Sequence, residues 1–422
     1  IQIREKKNNM PSKEIGWKEL FNKKIVICFF TGFTSGLPLY IFISLFPAWF
    51  YDSGLSFKEI GLLSVCMIPY SAKILWAPYF DYFSFPMGRR RGWLIIFQTL
   101  LLFLIAICGF FNPASQINTI VVISLGMAFF SASQDTVIDA YRREILLDRE
   151  LGLGNAVHVN TYKFSSLVPG ALSLILADFF PWEFVFSITA LFMIPGIILT
   201  ILISEPKLNS LPPKTLKQAI KDPAKEFITR KGLKTALYIL LFIFLYKIGD
   251  SMATKLATPF YLDLGFTKTE IAIIVKNVSL WTGVAGGILG GIWMIKIGIN
   301  KALWLFGFLQ MITILGFAWL ASVGDDKIVL SIVVALEYFA AGLGTIAFVS
   351  FIAKTTNPKY TATQFALFTS IGVGLVQLVS SVAGYLVIFF GWYYFFIFCF
   401  FLAIPGMSLL SKVAPWSQPN SS

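Results

Sequence analysis

Mostly apolar runs of about 20 residues, the length a helix needs to cross a bilayer, recur along this chain between short polar intervals. Twelve such runs can be marked, at 25–50, 58–81, 93–111, 117–141, 157–179, 183–204, 236–260, 269–295, 301–321, 328–353, 362–388 and 392–411. The one long polar interval, 205–235, contains "EPKLNSLPPKTLKQAIKDPAKEFITRKGLK" and divides the runs six and six. The pattern predicts an all-α membrane protein of two six-helix bundles, 25–204 and 236–411. A basic tail (1–24), a central loop (205–235) and a short tail (412–422) complete the expected organisation.

Composition agrees. The 422 residues are 57% hydrophobic and only 13% charged, too little charge to cover a soluble protein of this size. The net charge of +12 suits nucleic acid in a soluble chain, but here its distribution decides. With the N-terminus inside, 26 Lys and Arg fall in inner segments, and only Lys58, Lys268 and Lys327 fall in outer loops. That asymmetry predicts both termini in the cytoplasm and explains the charge without nucleic acid. The stretch 1–24 has no short apolar core or small-residue cleavage site, so a cytoplasmic tail is expected. Cys28, Cys66, Cys108 and Cys399 all sit inside apolar runs, and His158 is the sole histidine. Neither a zinc site nor a His-based catalytic triad is expected.

The halves echo each other. "DSGLSFKEI" (52–60) and "DLGFTKTEI" (263–271) share Asp, Gly, Glu and Ile at an offset of 211 residues, half the chain. Each follows the first span of its half and opens the second. Parallel six-span repeats around a site near the bilayer midplane are the plan of the major facilitator fold. "APYFDYFSFPMGRRRGW" puts Asp81 at a helix end and Arg89, Arg90 and Arg91 in a short inner turn. This loosely resembles the facilitator loop motif, with the first glycine replaced and the spacing longer; a plain positive-inside anchor is the alternative.

Ionisable groups inside a membrane point to function and usually to a partner. Apart from helix ends, the four acids are Asp135, Asp139, Asp250 and Glu337, and the five bases are Lys73, Lys163, Lys247, Lys255 and Lys276. Counting at 1.5 Å per residue puts Lys73, Asp135 and Lys163 all roughly 10 Å from the inner face. A cluster of two ammoniums and one carboxylate is expected there. Lys247 and Asp250, at i and i+3, can pair within one helix. Glu337 has no obvious cation and is a proton-carrier candidate, or else a neutral structural carboxyl. Asp139, within a turn of Arg142 and Arg143, is expected at a cytoplasmic gate, and Asp135 in the cavity. More ammoniums than carboxylates suit an anionic solute. The hydroxyls and rings of "LYKIGDSMATKLATPFYL" and "NTYKFSSLVPG" suit a sugar- or peptide-like one.

Seven stretches, "GFTSGLPLY", "YSAKILWAPYFD", "GRRRGWL", "ASQDTVIDAYRREIL", "LYKIGD", "GLGTIAFVSFI" and "TATQFALFTS", together resemble the AmpG family of muropeptide permeases. They run in the family's order from span 1 to span 11. Eukaryotic acetyl-CoA transporters are more distant relatives. The resemblance implies an inner-membrane importer of GlcNAc–anhydro-MurNAc, with or without stem peptide, driven by the proton gradient and serving peptidoglycan recycling. It implies no cofactor, with protons, bilayer and an anionic glycopeptide as partners, and a monomer is expected. Gln134, Asp135 and Asp139 match the family's span-4 motif, Lys247 and Asp250 its span-7 motif, and Gln364 its "ATQFAL" stretch. Family members often carry an arginine after that stretch, where this chain has Val376. Transport of another anionic solute, such as acetyl-CoA or a nucleotide derivative, is the alternative. A membrane-embedded acyltransferase lacks the histidine or metal such enzymes use, and a pure sensor stays open.

Overall fold

Backbone groups inside lipid must hydrogen-bond within their own segment, so each apolar run becomes a helix. The computed structural model describes residues 22–55, 66–206, 215–267, 270–380 and 382–416. The start of span 2 and parts of both repeat motifs lie outside the described residues.

The N-terminal half comprises spans 1 (Lys23–Asp52), 2 (described over 66–82), 3 (Arg91–Cys108), 4 (Ile117–Ile145), 5 (151–177) and 6 (Trp182–Leu202). The C-terminal half comprises spans 7 (Leu233–Asp263), 8 (271–297), 9 (299–323), 10 (Lys327–Thr355), 11 (361–390, residue 381 aside) and 12 (392–413). Spans 8 and 9, and again 11 and 12, follow one another through a single glycine. Gly298 (φ 79°) and Gly391 (φ 72°) take the left-handed conformation that a side chain resists, and there the helix reverses. Ile388, Phe389 and Phe179 are more than three-quarters exposed on the outer surface. Lipid is the environment that covers such side chains.

Three boundaries differ from the hydropathy reading. Span 5 begins at Leu151 instead of 157, because Asn155, His158 and Asn160 are buried between helices and not solvated. Span 4 runs on to Ile145, its last turn anchored by ion pairs. The interval 205–235 is not all loop: Leu216–Lys231 is a helix capped by Thr215. Its buried residues Ala219, Pro223 and Phe227 recur every fourth position, a single stripe laid on the bundle.

The internal repeat has a structural counterpart. Trp182, opening span 6, donates its indole N–H to Asp52 at 2.9 Å; Trp392, opening span 12, does the same to Asp263 at 2.6 Å. Gly54 and Gly265, two residues after those acids, both have positive φ (85° and 101°).

One end of the molecule gathers Lys23, Arg89–Arg91, Arg142, Arg143, the linker helix and Lys412; we call it the basic face. Here the halves share a core, in which Cys28, Leu146, Leu151 and Ala156 pack with Phe242, Met294, Leu343 and Phe351. Away from this end the cores separate, one around Leu37, Trp49 and Phe186 and the other around Phe260, Phe317 and Phe396. Glycines permit the contact, since van der Waals packing and not water exclusion holds helices together in lipid. A Cβ on Gly291 of span 8 would lie 2.5 Å from the Ala156 Cβ and 3.1 Å from the Gly152 carbonyl of span 5.

Candidate functional site

Among the described residues, buried polar side chains gather in a network at the basic face, which we call the gate, and in a set of charges deeper in the bundle.

The gate is built around Arg90, which is fully buried. Its guanidinium donates to Asp81 (2.7 Å), to Glu144 (2.6 Å) and to the Phe80 carbonyl (2.9 Å). Arg89 adds a second bond to Glu144 at 2.8 Å. Burial works against charge on Arg90, but Glu144 and Asp81 outweigh it and hold its pKa above the ordinary arginine value. Burial dominates at Arg89, whose pKa falls below that value. Glu205 accepts the backbone N–H groups of Arg90 (2.8 Å) and Arg91 (3.1 Å), fixing the turn. The Arg91 side chain donates to the Thr200 and Ile201 carbonyls at the end of span 6, where a cation suits the helix dipole.

Two of these charges reach the other half. Asp81 accepts from the N–H of Ala362 and from the N–H and hydroxyl of Thr363, capping span 11. Arg143 donates to the Ala353 carbonyl near the end of span 10. Asn155 also donates to Ser350 at 3.1 Å. Among the described residues, the hydrogen bonds joining the six-helix halves all lie toward this face.

The linker helix adds a clasp. Glu226 accepts from Arg230 (2.6 Å), Asn357 (2.7 Å) and Gln364 (2.7 Å), while Arg230 donates to the Thr355 carbonyl. Gln364, expected in the cavity, therefore sits at the gate: it occupies the first turn of span 11, where the linker helix covers it. Gln134, also expected to face the cavity, is fully buried and donates to the Thr34 carbonyl of span 1 at 2.9 Å. Asp139 pairs with Arg142 at 2.7 Å within span 4. The partners of the Arg89–Arg91 turn are Asp81, Glu144 and Glu205. Glu144 and Glu205 escaped the sequence reading because helix-end acids look solvated, although each lies within two residues of a predicted span boundary or of Arg143.

Deeper in, Asp135 accepts a hydrogen bond from Ser35, and Lys73 is a nearby charge without direct ion-pair contact. Tyr70 bonds Ser131 and Trp76 bonds Ser133, which holds span 2 against span 4. Lys163 does not join this pair, contrary to expectation. The charge acting on it is Lys247 of the other half, and a Cβ on Gly283 of span 8 would lie 3.3 Å from its Nζ. The face of span 5 that carries Lys163 turns toward span 8. No described residue forms a hydrogen bond or ion pair with it.

Lys247 is loosely held, 3.3 Å from Thr345, 3.4 Å from Gln310 and 3.5 Å from Asp250. Glu337 lies behind this group in span 10, fully buried. Both its carboxyl oxygens lack a bonded partner, as does Oδ1 of Asp250. The arrangement offers two ammoniums from opposite halves that act on each other, plus a fully buried carboxyl near one of them. Such an arrangement suits an anion.

Residues 28–381 match the Major Facilitator Superfamily. An uncharacterized protein of Haemophilus influenzae is 49% identical over 413 residues, 96% of this chain and 97% of the relative. The anhydromuropeptide permease of Escherichia coli K12 is 38% identical over 384 residues, 90% of this chain and 77% of the relative. The human organic anion transporter MFSD10 superposes with a TM-score of 0.70 at 13% identity, covering 92% of this chain and 98% of the other. The chain belongs to the Major Facilitator Superfamily and, within it, to the AmpG-type permeases. It is a multi-pass transporter and not an enzyme.

Proposed function

We propose that the protein imports anhydro-muropeptides, GlcNAc–anhydro-MurNAc with or without its stem peptide, by proton symport for peptidoglycan recycling. The observation that carries this reading is the pair Lys163 and Lys247, ammoniums from opposite halves that act on each other, the first with no hydrogen bond or ion pair among the described residues and the second only loosely held. The lactyl and peptide carboxylates of a muropeptide are the anions such a pair would hold. The name of the Escherichia coli relative points to the same substrate class.

Orientation follows from charge. The basic face is assigned to the cytoplasm and the protein to the inner membrane, both termini inside. In that frame the structure is closed on the cytoplasmic side, the state that receives substrate from outside. Alternating access then consists of breaking the Asp81 and Arg143 contacts after the cavity fills. The protein works as a monomer, without cofactor.

Val376, where family members often carry arginine, is buried in span 11 and brings no charge. This favours a second reading, in which a different anion such as an acyl-CoA or nucleotide is carried. Uptake into proteoliposomes separates the two. Labelled disaccharide and disaccharide–tripeptide should accumulate only with an inward proton gradient and resist competition by acetyl-CoA. Accumulation without the gradient would remove the symport; displacement by acetyl-CoA would remove the muropeptide assignment.

A further inference from the structure

Glu337 stands apart from the other embedded acids. Asp135 receives a hydrogen bond from Ser35, Asp139 is paired with Arg142, and Asp250 is near Lys247. Glu337 has neither a cation in contact nor a donor on either oxygen, and none of its side chain is exposed. Its neighbours are the Thr313 hydroxyl of span 9 and the Asp250 carboxyl of span 7. Asp250 directs one oxygen toward Lys247 at 3.5 Å and leaves the other buried and unbonded.

Two carboxyls and one ammonium thus share a pocket of low dielectric. With both acids ionised the pocket carries a net negative charge, and its two carboxylates repel each other. One added proton makes it neutral and gives the orphaned oxygens an O–H to share. The other titratable groups facing the pocket are Tyr261 of span 7 and Tyr338 of span 10. From the N-terminal half the group is Lys163, acting on Lys247. None of these supplies a third carboxylate. The three contacts of Lys247 are all at 3.3–3.5 Å, so its ammonium is placed to move.

We propose that Asp250 and Glu337 together hold one exchangeable proton, and that this proton decides whether Lys247 stays with Asp250 or turns beside Lys163 toward a substrate carboxylate. This rests on the anion-uptake reading above. The step is a proton transfer alone: a carboxylate and a proton become a carboxyl, the pull of Asp250 on Lys247 weakens, and the substrate anion replaces it. One proton enters with each substrate, so loading is electroneutral for the singly charged disaccharide, and a peptide-bearing substrate brings its remaining net charge with it. Release on the basic-face side reverses both, with the proton leaving once Lys247 returns.

The test uses the full chain, purified and in proteoliposomes, with GlcNAc–anhydro-MurNAc–tripeptide as probe. In weakly buffered solution with a pH-indicating dye, substrate binding to the wild type should take up protons, and Glu337→Gln should abolish that uptake. The ratio of gradient-driven accumulation to counterflow exchange should fall by about tenfold or more in the variant. An unchanged ratio, or proton uptake that persists, overturns the proposal. Should Glu337→Gln fail to fold, Asp250→Asn is read the same way. If the wild type neither binds nor exchanges the tripeptide, the substrate assignment has failed and the acid pair is judged by infrared difference spectra across pH. A protonated-carboxyl band that Glu337→Gln removes sustains the pair, and a wild type without that band refutes it.

Discussion

Asp81 in span 2 accepts the backbone N–H of Thr363 at 2.9 Å and the Thr363 hydroxyl at 2.7 Å, and so caps span 11 from the opposite half of the molecule. The same carboxylate holds Arg90 at 2.7 Å. A single buried charge therefore couples the folding of the inner turn to closure of the gate.

Asp81→Asn removes that charge while keeping the shape. Stability of the closed state should drop by about 3–5 kcal/mol, the usual penalty for uncoupling a buried pair, less what Glu144 retains. The measurable outcome is a lower Tm in detergent. In addition, a cysteine introduced at Thr363 should label faster from the basic-face side. Unaltered labelling with a lowered Tm would make Asp81 a folding residue and not a gate.

Gly291 tests closure sterically. Its Cβ position is already occupied at 2.5 Å by Ala156, so Gly291→Val cannot be accommodated with spans 5 and 8 together. The variant is expected to rest with the basic face open and to lose about tenfold or more in transport rate. Accessibility of engineered cysteines on the two faces, compared with the parent, reads the shift.

Lys163→Gln and Lys247→Gln should each raise the half-saturating concentration of disaccharide–tripeptide by roughly tenfold or more, because a charge-assisted contact contributes about 1.5–3 kcal/mol. Methyl esters of the same ligand should bind parent and variants alike. Ester and acid responding equally to the substitutions would mean the ammoniums do not meet a carboxylate.

Glu226→Gln tests the linker helix. Gln364 and Asn357 can still bond a neutral amide, but Arg230 loses its 2.6 Å ion pair. Surface pairs of this kind contribute little, about 0–1 kcal/mol, so a Tm within a degree or two of the parent is expected. Exchange of backbone amides in 216–231 should nevertheless accelerate, as measured by hydrogen–deuterium exchange.

Much of the architecture is legible in the sequence. The runs placed the helices to within a few residues, apart from those whose polar ends are buried between neighbours, such as Asn155 and His158 in span 5. The offset of 211 residues between Asp52 and Asp263 foretold a repeat that the structure expresses as two equivalent tryptophan–aspartate bonds. The linker helix was less visible because its buried stripe, Ala219, Pro223 and Phe227, includes a proline and no run of large apolar residues.

The site was harder to read. Depth along a helix follows from counting residues, which is how Lys73, Asp135 and Lys163 came to be expected in one cluster. Which of them meet depends on the rotation of each helix about its axis. Lys163 consequently faces Lys247, and Gln364 belongs to the gate.

The sequence by itself determined where the chain crosses lipid, which face is basic, that the halves repeat, and which ionisable groups are embedded. Each of these is a one-dimensional property, set by hydropathy, charge and spacing. Only the tertiary structure decided the partners: Glu144 and Glu205 for the arginine turn, Asp81 for span 11, and Glu337 for Asp250. Those pairings join residues up to 282 positions apart, and the packing and rotation of whole helices against one another, not any local signal, bring them together.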